Sequence, residues 1–246
     1  MNFSSVFGGI GRSLRHPVYR TYMVGHTLAA TGRWMKRTAV GWLTWELTES
    51  ASWLGIVAFA DLVPMMIFVI LSGAIADRVG LMRIVKLSQI LSGLVALVFA
   101  ALVYTDLITI ELVVVLSVCF GVAEALSSPA RMAAVHGMVP REDLSGAIAV
   151  GAAAFNMSRI AGPAIAGGLI LWAGTATVIT LCAAIFFIFY LLLRTIELAE
   201  TATNKEISLD LFVDIWRGMR YVYGHPGIRY LMALSVTFSL FMRPIM

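Results

Sequence analysis

Three cations occupy positions i, i+3 and i+4 of one long, mostly apolar segment: Arg33, Lys36 and Arg37. At that spacing they share one face of a helix. A charge at the centre of a bilayer costs about 2.5–3.5 kcal/mol. We therefore expect the three to line a wet cavity or to pair with acids. Either arrangement suits the handling of a polar molecule or a proton.

Acidic partners for these cations are available in two other apolar segments. Asp61 and Glu124 each lie near the middle of such a segment, and Arg159 lies in the early to middle part of another. Two interpretations stay open: structural ion pairs that hold helices in register, or an aqueous path in which Asp61 or Glu124 accepts a proton. The residues predicted to line or organise this path are Arg33, Lys36, Arg37, Asp61, Glu124 and Arg159.

Apolar helices are the elements that must position these charges. The chain has 246 residues, of which 60% are apolar and 13% charged, against roughly 45–50% and about 25% in soluble domains. A helix that crosses a bilayer needs about 20 mostly apolar residues. The predicted fold class is therefore all-α, a polytopic membrane protein, with six spans at about 18–46, 52–76, 82–104, 110–134, 144–172 and 174–194.

The segments after the sixth span differ in character. Residues 209–223 have the pattern of an amphipathic helix that lies on the membrane surface or against the bundle. The last apolar run contains Arg243 and Pro244 and stops at Met246, which predicts a chain cut partway through a span, roughly the first half of a larger protein. The predicted domains are a cytoplasmic N-terminus at 1–17, a six-helix transmembrane domain at 18–194, a cytoplasmic linker at 195–228 and the truncated start of a seventh span at 229–246.

The distribution of basic residues predicts the orientation. The turns at 46–52, 105–110 and 172–177 contain no Lys or Arg, whereas thirteen basic residues fall on the other side of the spans. By the positive-inside rule that side is cytoplasmic, which places the N-terminus inside the cell. The thirteen are Arg12, Arg15, Arg20, Arg78, Arg83, Lys86, Arg131, Arg141, Arg194, Lys205, Arg217, Arg220 and Arg229.

The composition argues against several other classes of protein. The net charge of +4 is explained by short loops that face anionic headgroups, so no nucleic-acid partner is predicted. Cys119 and Cys182 lie inside apolar runs without metal-ligand spacing. No catalytic residue, metal or cofactor is predicted, because GxSxG, HExxH and nucleotide-loop motifs are missing and the histidines are scattered.

The turn between the second and third spans has the features of a conformational latch. A small residue before the turn allows helices to approach closely, and a glycine in it allows a tight reversal. The acid can meet a helix N-terminus or a basic partner in only one conformation, although any cytoplasmic loop can hold Asp-Arg beside glycine. The predicted latch residues are Gly73, Asp77, Arg78, Gly80 and Arg83.

Small residues recur every four positions in the fifth span, at Ala154, Ser158, Gly162 and Ala166. Such a stripe lets two helices touch backbone to backbone, and Pro163 removes one backbone donor and predicts a kink. Helix packing and a pivot between open states both remain possible. The residues predicted for this role are Ala154, Ser158, Gly162, Pro163 and Gly167.

Several motifs together carry a family resemblance from about residue 15 to the end of the chain. They are Gly41-Trp42-Leu43 with Leu47-Thr48 and Ser50, the 73–83 turn, Ser128-Pro129-Ala130-Arg131, the 139–149 segment, and Asn156, Arg159-Ile160, Gly162-Pro163-Ala164 and Gly167. In these motifs the chain resembles the major facilitator superfamily. The resemblance is to its drug-exporter branch, which includes the enterobactin exporter and macrolide efflux proteins.

The resemblance implies twelve spans in two halves, moved by alternating access and usually driven by proton antiport. In the family, the acid at the position of Asp77 contacts a helix of the second half and steadies the outward-facing state. Two positions depart from the family pattern: the turn has Gly80-Leu81-Met82 where arginine is common, and three residues separate Pro163 from Gly167 where the family has two. Arg33 replaces a small or acidic residue, which favours anionic or zwitterionic cargo.

The predicted function is therefore proton-coupled efflux of a small amphipathic or drug-like compound from the cell membrane. The expected partners are membrane lipid, the small-molecule substrate, the proton and the missing C-terminal half. An importer or a lysolipid flippase of the same fold remains an alternative. So does a non-transporting membrane scaffold, whereas a membrane enzyme is disfavoured by the scattered positions of His16, His26, His136 and His225.

Overall fold

The computed structural model describes residues 11–196 and the single positions 220, 227 and 230; over 69–74 and 76–78 it describes the backbone alone. The chain divides into two units, Met1–Thr203 and Asn204–Met246. The predicted amphipathic helix and the start of the seventh span lie outside the described residues. All regular elements in the described part are helical, which confirms the all-α fold class.

Each of the six predicted spans forms a helix. The last element is broken at Gly174 (φ 80°, ψ 168°), a conformation suited to glycine, so it contains two helices, 144–173 and 175–194. These parts are called α5N and α5C below. The elements are α1 (Pro17–Thr48), α2 (Ala51–Val79), α3 (Leu81–Tyr104), α4 (Ile110–Ala134), a short 3₁₀ turn (Val135–Gly137) and α5 (Leu144–Arg194).

Local sequence explains where several helices begin and end. Pro17 occupies the first turn of α1, where its missing N–H costs nothing. At the other end Glu49 is left-handed (φ 46°), and its N–H donates to the Trp45 carbonyl at 2.8 Å. The hydroxyl of Thr109 accepts from the Leu112 N–H at the start of α4, a typical N-cap.

Gly80 alone joins α2 to α3. Its φ of 98° and ψ of 133° belong to a region that side-chain-bearing residues occupy only under strain of about 1–3 kcal/mol. Gly80 is buried, and its carbonyl accepts from the Ile84 N–H at 3.1 Å. The reversal therefore depends on the absence of a Cβ atom.

Gly80→Ala is expected to lower the free energy of unfolding by about 1–3 kcal/mol, because the alanine must adopt this strained conformation. The matched control is Gly55→Ala, inside α2, where an added Cβ meets nothing within 4 Å and alanine's higher helix propensity stabilises by up to about 1 kcal/mol. Unfolding of the two variants in detergent micelles tests the contrast. Equal effects at the two positions would contradict it.

The outer surface of the described bundle is strongly apolar. Leu171 and Trp172 are 85% and 86% exposed, and many other large apolar side chains are also exposed. Four described helices are long and apolar enough to cross a membrane, and the last of them is the whole of α5. Helix α1 is long but is not among the four, and it contains the three cations at 33–37. This is a multi-pass membrane protein.

The helices of the described bundle pack mainly in pairs. Helix α1 packs on α5, α2 packs on α4, and α3 packs on α4 and α5, while α1 also contacts α2 and α4. The core that these contacts bury contains large aromatic side chains, among them Tyr19, Tyr22, Phe99, Phe186 and Phe189. Charged residues on α1, α2 and α4 are therefore brought together between helices.

Candidate functional site

The first group of charges joins α1 to α2 through Asp61. The Nζ atom of Lys36 lies 2.9 Å from Oδ1 of Asp61, and Nη2 of Arg37 lies 3.2 Å from Oδ2. Lys36 is buried, with its ammonium 4.3 Å from the centre of the Phe120 ring on α4. One carboxylate thus compensates two cations at mid-helix. We call this group the Asp61 cluster.

The second group of charges is centred on Glu124 of α4. Both carboxylate oxygens of Glu124 accept from the guanidinium of Arg131, two helical turns later on the same helix. Arg131 also donates to the Ser127 hydroxyl. From α1, Nε of Arg33 lies 3.8 Å from Oε2 of Glu124, a longer contact. We call this group the Glu124 cluster.

Aromatic groups of α1 cover the Glu124 cluster. The Tyr22 hydroxyl donates to the Arg131 carbonyl at 3.4 Å, and the His26 ring stacks on Tyr22 with centroids 5.5 Å apart. Nη1 of Arg33 and Nδ1 of His26 are buried and have no hydrogen-bond partner among the described residues. The cluster therefore holds a cationic donor that the described part of the chain leaves unused.

Arg159 stands apart from both carboxylates. It lies exposed on α5N, with its guanidinium carbon 5.9 Å from the centre of the Trp34 ring. The guanidinium of Arg37 is 5.2 Å from the same ring, and Phe155 packs edge-on against it at 6.0 Å. Five of the six residues predicted for the path thus form the two clusters, and the sixth joins Arg37 at Trp34. Their roles in transport stay predictions.

Arg131, one of the thirteen basic residues on the predicted cytoplasmic side, makes an ion pair that the sequence analysis did not predict. Its side chain is buried within α4 and lies along the helix towards Glu124. The sequence contains a signal for this pair, because residues seven apart share a helix face. Tyr22 and His26 were also missed, since an aromatic residue in an apolar span is usually explained by packing alone.

The predicted latch lies where α2 turns into α3. Gly73, Asp77 and Arg78 belong to the last turns of α2, where the structure describes only the backbone, and Gly80 makes the reversal. Arg83 is exposed in the first turn of α3. The turn exists as predicted, and its role as a latch stays a prediction.

The small-residue stripe of α5N lies against α1. The Thr31 hydroxyl donates to Ser158 Oγ at 3.1 Å, and Ser158 donates to the Thr27 carbonyl at 3.3 Å. A Cβ added to Gly162 would lie 2.5 Å from Cβ of Trp34 and 3.0 Å from the Thr31 carbonyl oxygen. This is a backbone-to-backbone contact.

The other three residues predicted for helix packing or a pivot, Ala154, Pro163 and Gly167, differ from one another in their surroundings. Ala154 packs against the core, whereas a Cβ added to Gly167 would meet nothing within 4 Å in the described part of the chain. The backbone keeps helical dihedrals through Pro163, and within α5 it departs from them at Gly174. Pro163 therefore does not break the helix.

These features define a multi-pass α-helical membrane protein with ion pairs at mid-helix between its spans. A family model described as transmembrane secretion effector matches residues 12–246. The chain therefore belongs to this family, within the major facilitator superfamily. The resemblance predicted from the sequence motifs is confirmed.

Curated relatives are transporters at low identity. The chain is 26% identical over 191 residues to the staphyloferrin A transporter of Staphylococcus aureus, covering 76% of this chain and 48% of the relative. It is 28% identical over 209 residues to the multidrug efflux pump Tap of Mycolicibacterium fortuitum, covering 82% and 51%. An uncharacterized MFS-type transporter of Bacillus subtilis, YfiS, is 25% identical over 211 residues, covering 84% and 49%. The chain spans about half the length of these relatives.

Proposed function

We propose that the chain is the N-terminal half of a secondary active transporter that exports a small amphipathic or drug-like compound in exchange for protons. The observation that carries the proposal is the placement of Asp61 and Glu124 at mid-helix, each paired with cations of α1. Ionised groups at this depth are expensive and commonly mark substrate or proton paths. The names of the relatives, which include a multidrug efflux pump, support export.

Protonation of Asp61 would couple proton binding to helix movement. Its ion pair with Lys36 connects α1 to α2 at 2.9 Å, and in a low-dielectric site such a pair is strong. A proton on Asp61 removes the negative charge, so the attraction between the two helices is lost. The helices can then separate at lower cost, which favours the opposite conformation.

Glu124 differs from Asp61 because its main partner lies on its own helix. The pair with Arg131 stays within α4, and only the longer contact to Arg33 reaches α1. Loss of the Arg33 contact therefore weakens the attraction between α1 and α4, while the Glu124 carboxylate keeps its ion pair with Arg131. We assign Asp61 to proton exchange in the first place and Glu124 to the organisation of the path.

The remaining assignments follow from the same proposal. The protein lies in the cell membrane with a cytoplasmic N-terminus, in contact with lipid and with a second half of the transporter. Gly73, Asp77, Arg78, Gly80 and Arg83 form the conformational latch on the cytoplasmic side. The α1–α5N contact at Ser158 and Gly162 serves as packing surface and pivot.

A variant can lose efflux from cells because it has lost either proton coupling or its folded structure. Two vesicle assays, proton-driven accumulation and dye counterflow, distinguish these causes. In everted vesicles the full-length protein should accumulate amphipathic fluorescent dyes when a pH gradient is imposed, and a protonophore should abolish accumulation. Asp61→Asn should abolish the uphill accumulation but keep dye counterflow, which needs no proton. Glu142→Gln, an exposed acid in the turn before α5, is the matched control and should leave both assays unchanged.

Three outcomes would overturn the proposal in different ways. Accumulation in the opposite direction would make the protein an importer. Movement of a fluorescent lysolipid in place of the dyes would make it a flippase. No movement of dye, lysolipid or proton by a correctly folded protein would favour a scaffold.

A further inference from the structure

Arg159 occupies a depth at which an uncompensated cation is costly. It lies at the midpoint of α5N, the helix of residues 144–173. A central charge costs about 2.5–3.5 kcal/mol. Among the described residues its guanidinium contacts the Trp34 ring and makes no ion pair. The position therefore requires either water or an anion beside the guanidinium.

The contact with Trp34 is too weak to offset this cost. A cation–π contact contributes about 0.5–1 kcal/mol at exposed sites and about 2 kcal/mol when desolvated. The distance of 5.9 Å from the ring centre lies at the outer end of the effective range. Arg159 also shares Trp34 with Arg37, whose guanidinium is 5.2 Å from the same ring. The two positive charges near this ring repel each other. An anion beside them would therefore reduce both this repulsion and the cost of the uncompensated charge on Arg159.

The total charge around this region favours an anion. Among the described residues, the five cations Arg33, Lys36, Arg37, Arg131 and Arg159 outnumber the carboxylates of the two clusters, Asp61 and Glu124. Both carboxylates are already engaged, Asp61 by two cations and Glu124 by the bidentate contact with Arg131. In addition, Nη1 of Arg33 is buried and unpartnered in the described part. These described residues therefore carry an excess of positive charge, and the polar group left without a partner, on Arg33, is a hydrogen-bond donor.

The surroundings of Arg159 also present apolar surface. Phe155, one turn before Arg159, is 43% exposed and packs edge-on against Trp34. Arg37 keeps about half of its side chain exposed, at 51%. The surface thus combines two accessible guanidinium groups with aromatic rings. A guanidinium binds a carboxylate through two parallel hydrogen bonds, and the rings suit an apolar body.

We propose that Arg159, assisted by Arg37 and flanked by Trp34 and Phe155, binds the carboxylate of an amphipathic, ring-bearing cargo. This inference rests on the proposed transport function and names the substrate class for it. A carboxylate supplied by another part of the protein has the same chemistry. The experiment must therefore distinguish a cargo carboxylate from an internal one.

Two dyes with the same ring system provide the probes. Fluorescein carries a free carboxylate and is anionic, whereas rhodamine 123 carries that group as a methyl ester and is cationic. Binding of each dye to the purified full-length protein in micelles is measured by fluorescence polarisation, without a pH gradient. We expect fluorescein to bind at least about tenfold more tightly, as a charge-assisted hydrogen-bonded pair would give.

Variants of Arg159 then test whether this residue causes the tighter binding of fluorescein. Arg159→Gln should weaken fluorescein binding about tenfold and leave rhodamine 123 binding unchanged or tighter. Arg159→Lys should retain part of the affinity, because it keeps the charge and loses the two-pronged geometry. Arg141→Gln, an exposed arginine in the turn before α5, is the matched control and should change neither dye.

Several results would overturn the inference. Equal affinity for the two dyes, or no binding of fluorescein, removes the anion preference. A loss of stability in Arg159→Gln with unchanged dye binding assigns Arg159 to an internal carboxylate. Proton-driven dye accumulation in vesicles is judged separately, so the transport proposal can survive the failure of this inference.

Discussion

Glu124→Ala should destabilise the protein by on the order of 3 kcal/mol. Removal of one partner of a buried ion pair typically costs about 3–5 kcal/mol because the other charge is left uncompensated. The stranded group is Arg131, whose side chain is only 8% exposed, whereas the Glu124 side chain is 33% exposed. Water can reach Arg131 from the partly exposed Glu124 side and solvate its charge, so we expect a cost at the lower end of this range of free energies. Unfolding of the full-length protein in mixed micelles measures it.

Double-mutant cycles should rank the two cations that contact Glu124. Arg131 makes a two-pronged contact with both carboxylate oxygens, while Arg33 reaches one oxygen at 3.8 Å. We therefore expect a larger coupling energy in the cycle of Glu124→Ala with Arg131→Met than in the cycle with Arg33→Met. In the first cycle the double variant should regain much of the lost stability, because no charge of that pair remains buried alone.

Glu46→Ala is the matched control for these cycles. Glu46 is exposed near the end of α1 and accepts from the Trp42 indole at 2.7 Å. Its removal should change stability by no more than about 0.5 kcal/mol, as for most surface positions. A larger coupling of Glu124 to Arg33 than to Arg131, or a loss at Glu46 as great as at Glu124, would show that the described geometry does not govern stability.

The helices and the partners of the α1 cations were predictable from sequence. Apolar runs of span length leave few alternatives to helices in a bilayer. Within those runs, Asp61 and Glu124 are the acids near mid-depth, so cations at 33–37 have few possible partners. The structure pairs them with these two carboxylates. The high cost of a lone charge in hydrocarbon is what makes such pairing predictable.

The position of Arg131 was not predictable by the same argument. A cation near the end of a span can extend to the headgroups or fold back towards the interior. Here the Arg131 side chain donates to Ser127 of the same helix, and the Tyr22 hydroxyl of α1 donates to the backbone carbonyl of Arg131. Sequence spacing gives the first contact, but the second depends on the register of α1 against α4.

The contact of Arg159 with Trp34 shows the same limitation between α1 and α5N. Helix period places Phe155 and Arg159 on one side of α5N. It does not fix which residue of α1 they meet. That register is set by the close approach at Gly162 and by the Thr31–Ser158 hydrogen bond. Small residues predict that some helix packs there, and only the tertiary structure identifies the helix.

Gly162→Ala should therefore have an effect well beyond the addition of one methyl group. The new Cβ would lie 2.5 Å from Cβ of Trp34, 3.0 Å from the Thr31 carbonyl oxygen and 3.3 Å from the Met35 nitrogen. Two of these three atoms belong to the α1 backbone, which cannot move aside as a flexible side chain can. Helix α1 must shift away from α5N, at a cost of about 1–3 kcal/mol that is typical of overpacking.

The same substitution at Gly167, five residues later, should stabilise the protein instead of destabilising it. Gly167→Ala places its Cβ where no described atom lies within 4 Å, and alanine is favoured over glycine in a helix by up to about 1 kcal/mol. Unfolding in micelles should thus show a loss for Gly162→Ala and a small gain for Gly167→Ala. Because Trp34 carries both guanidinium contacts, the shift at Gly162 should also weaken fluorescein binding, and Gly167→Ala should not. A stabilising Gly162→Ala would mean that α1 and α5N do not meet at this point, because a true backbone contact leaves no room for the methyl group.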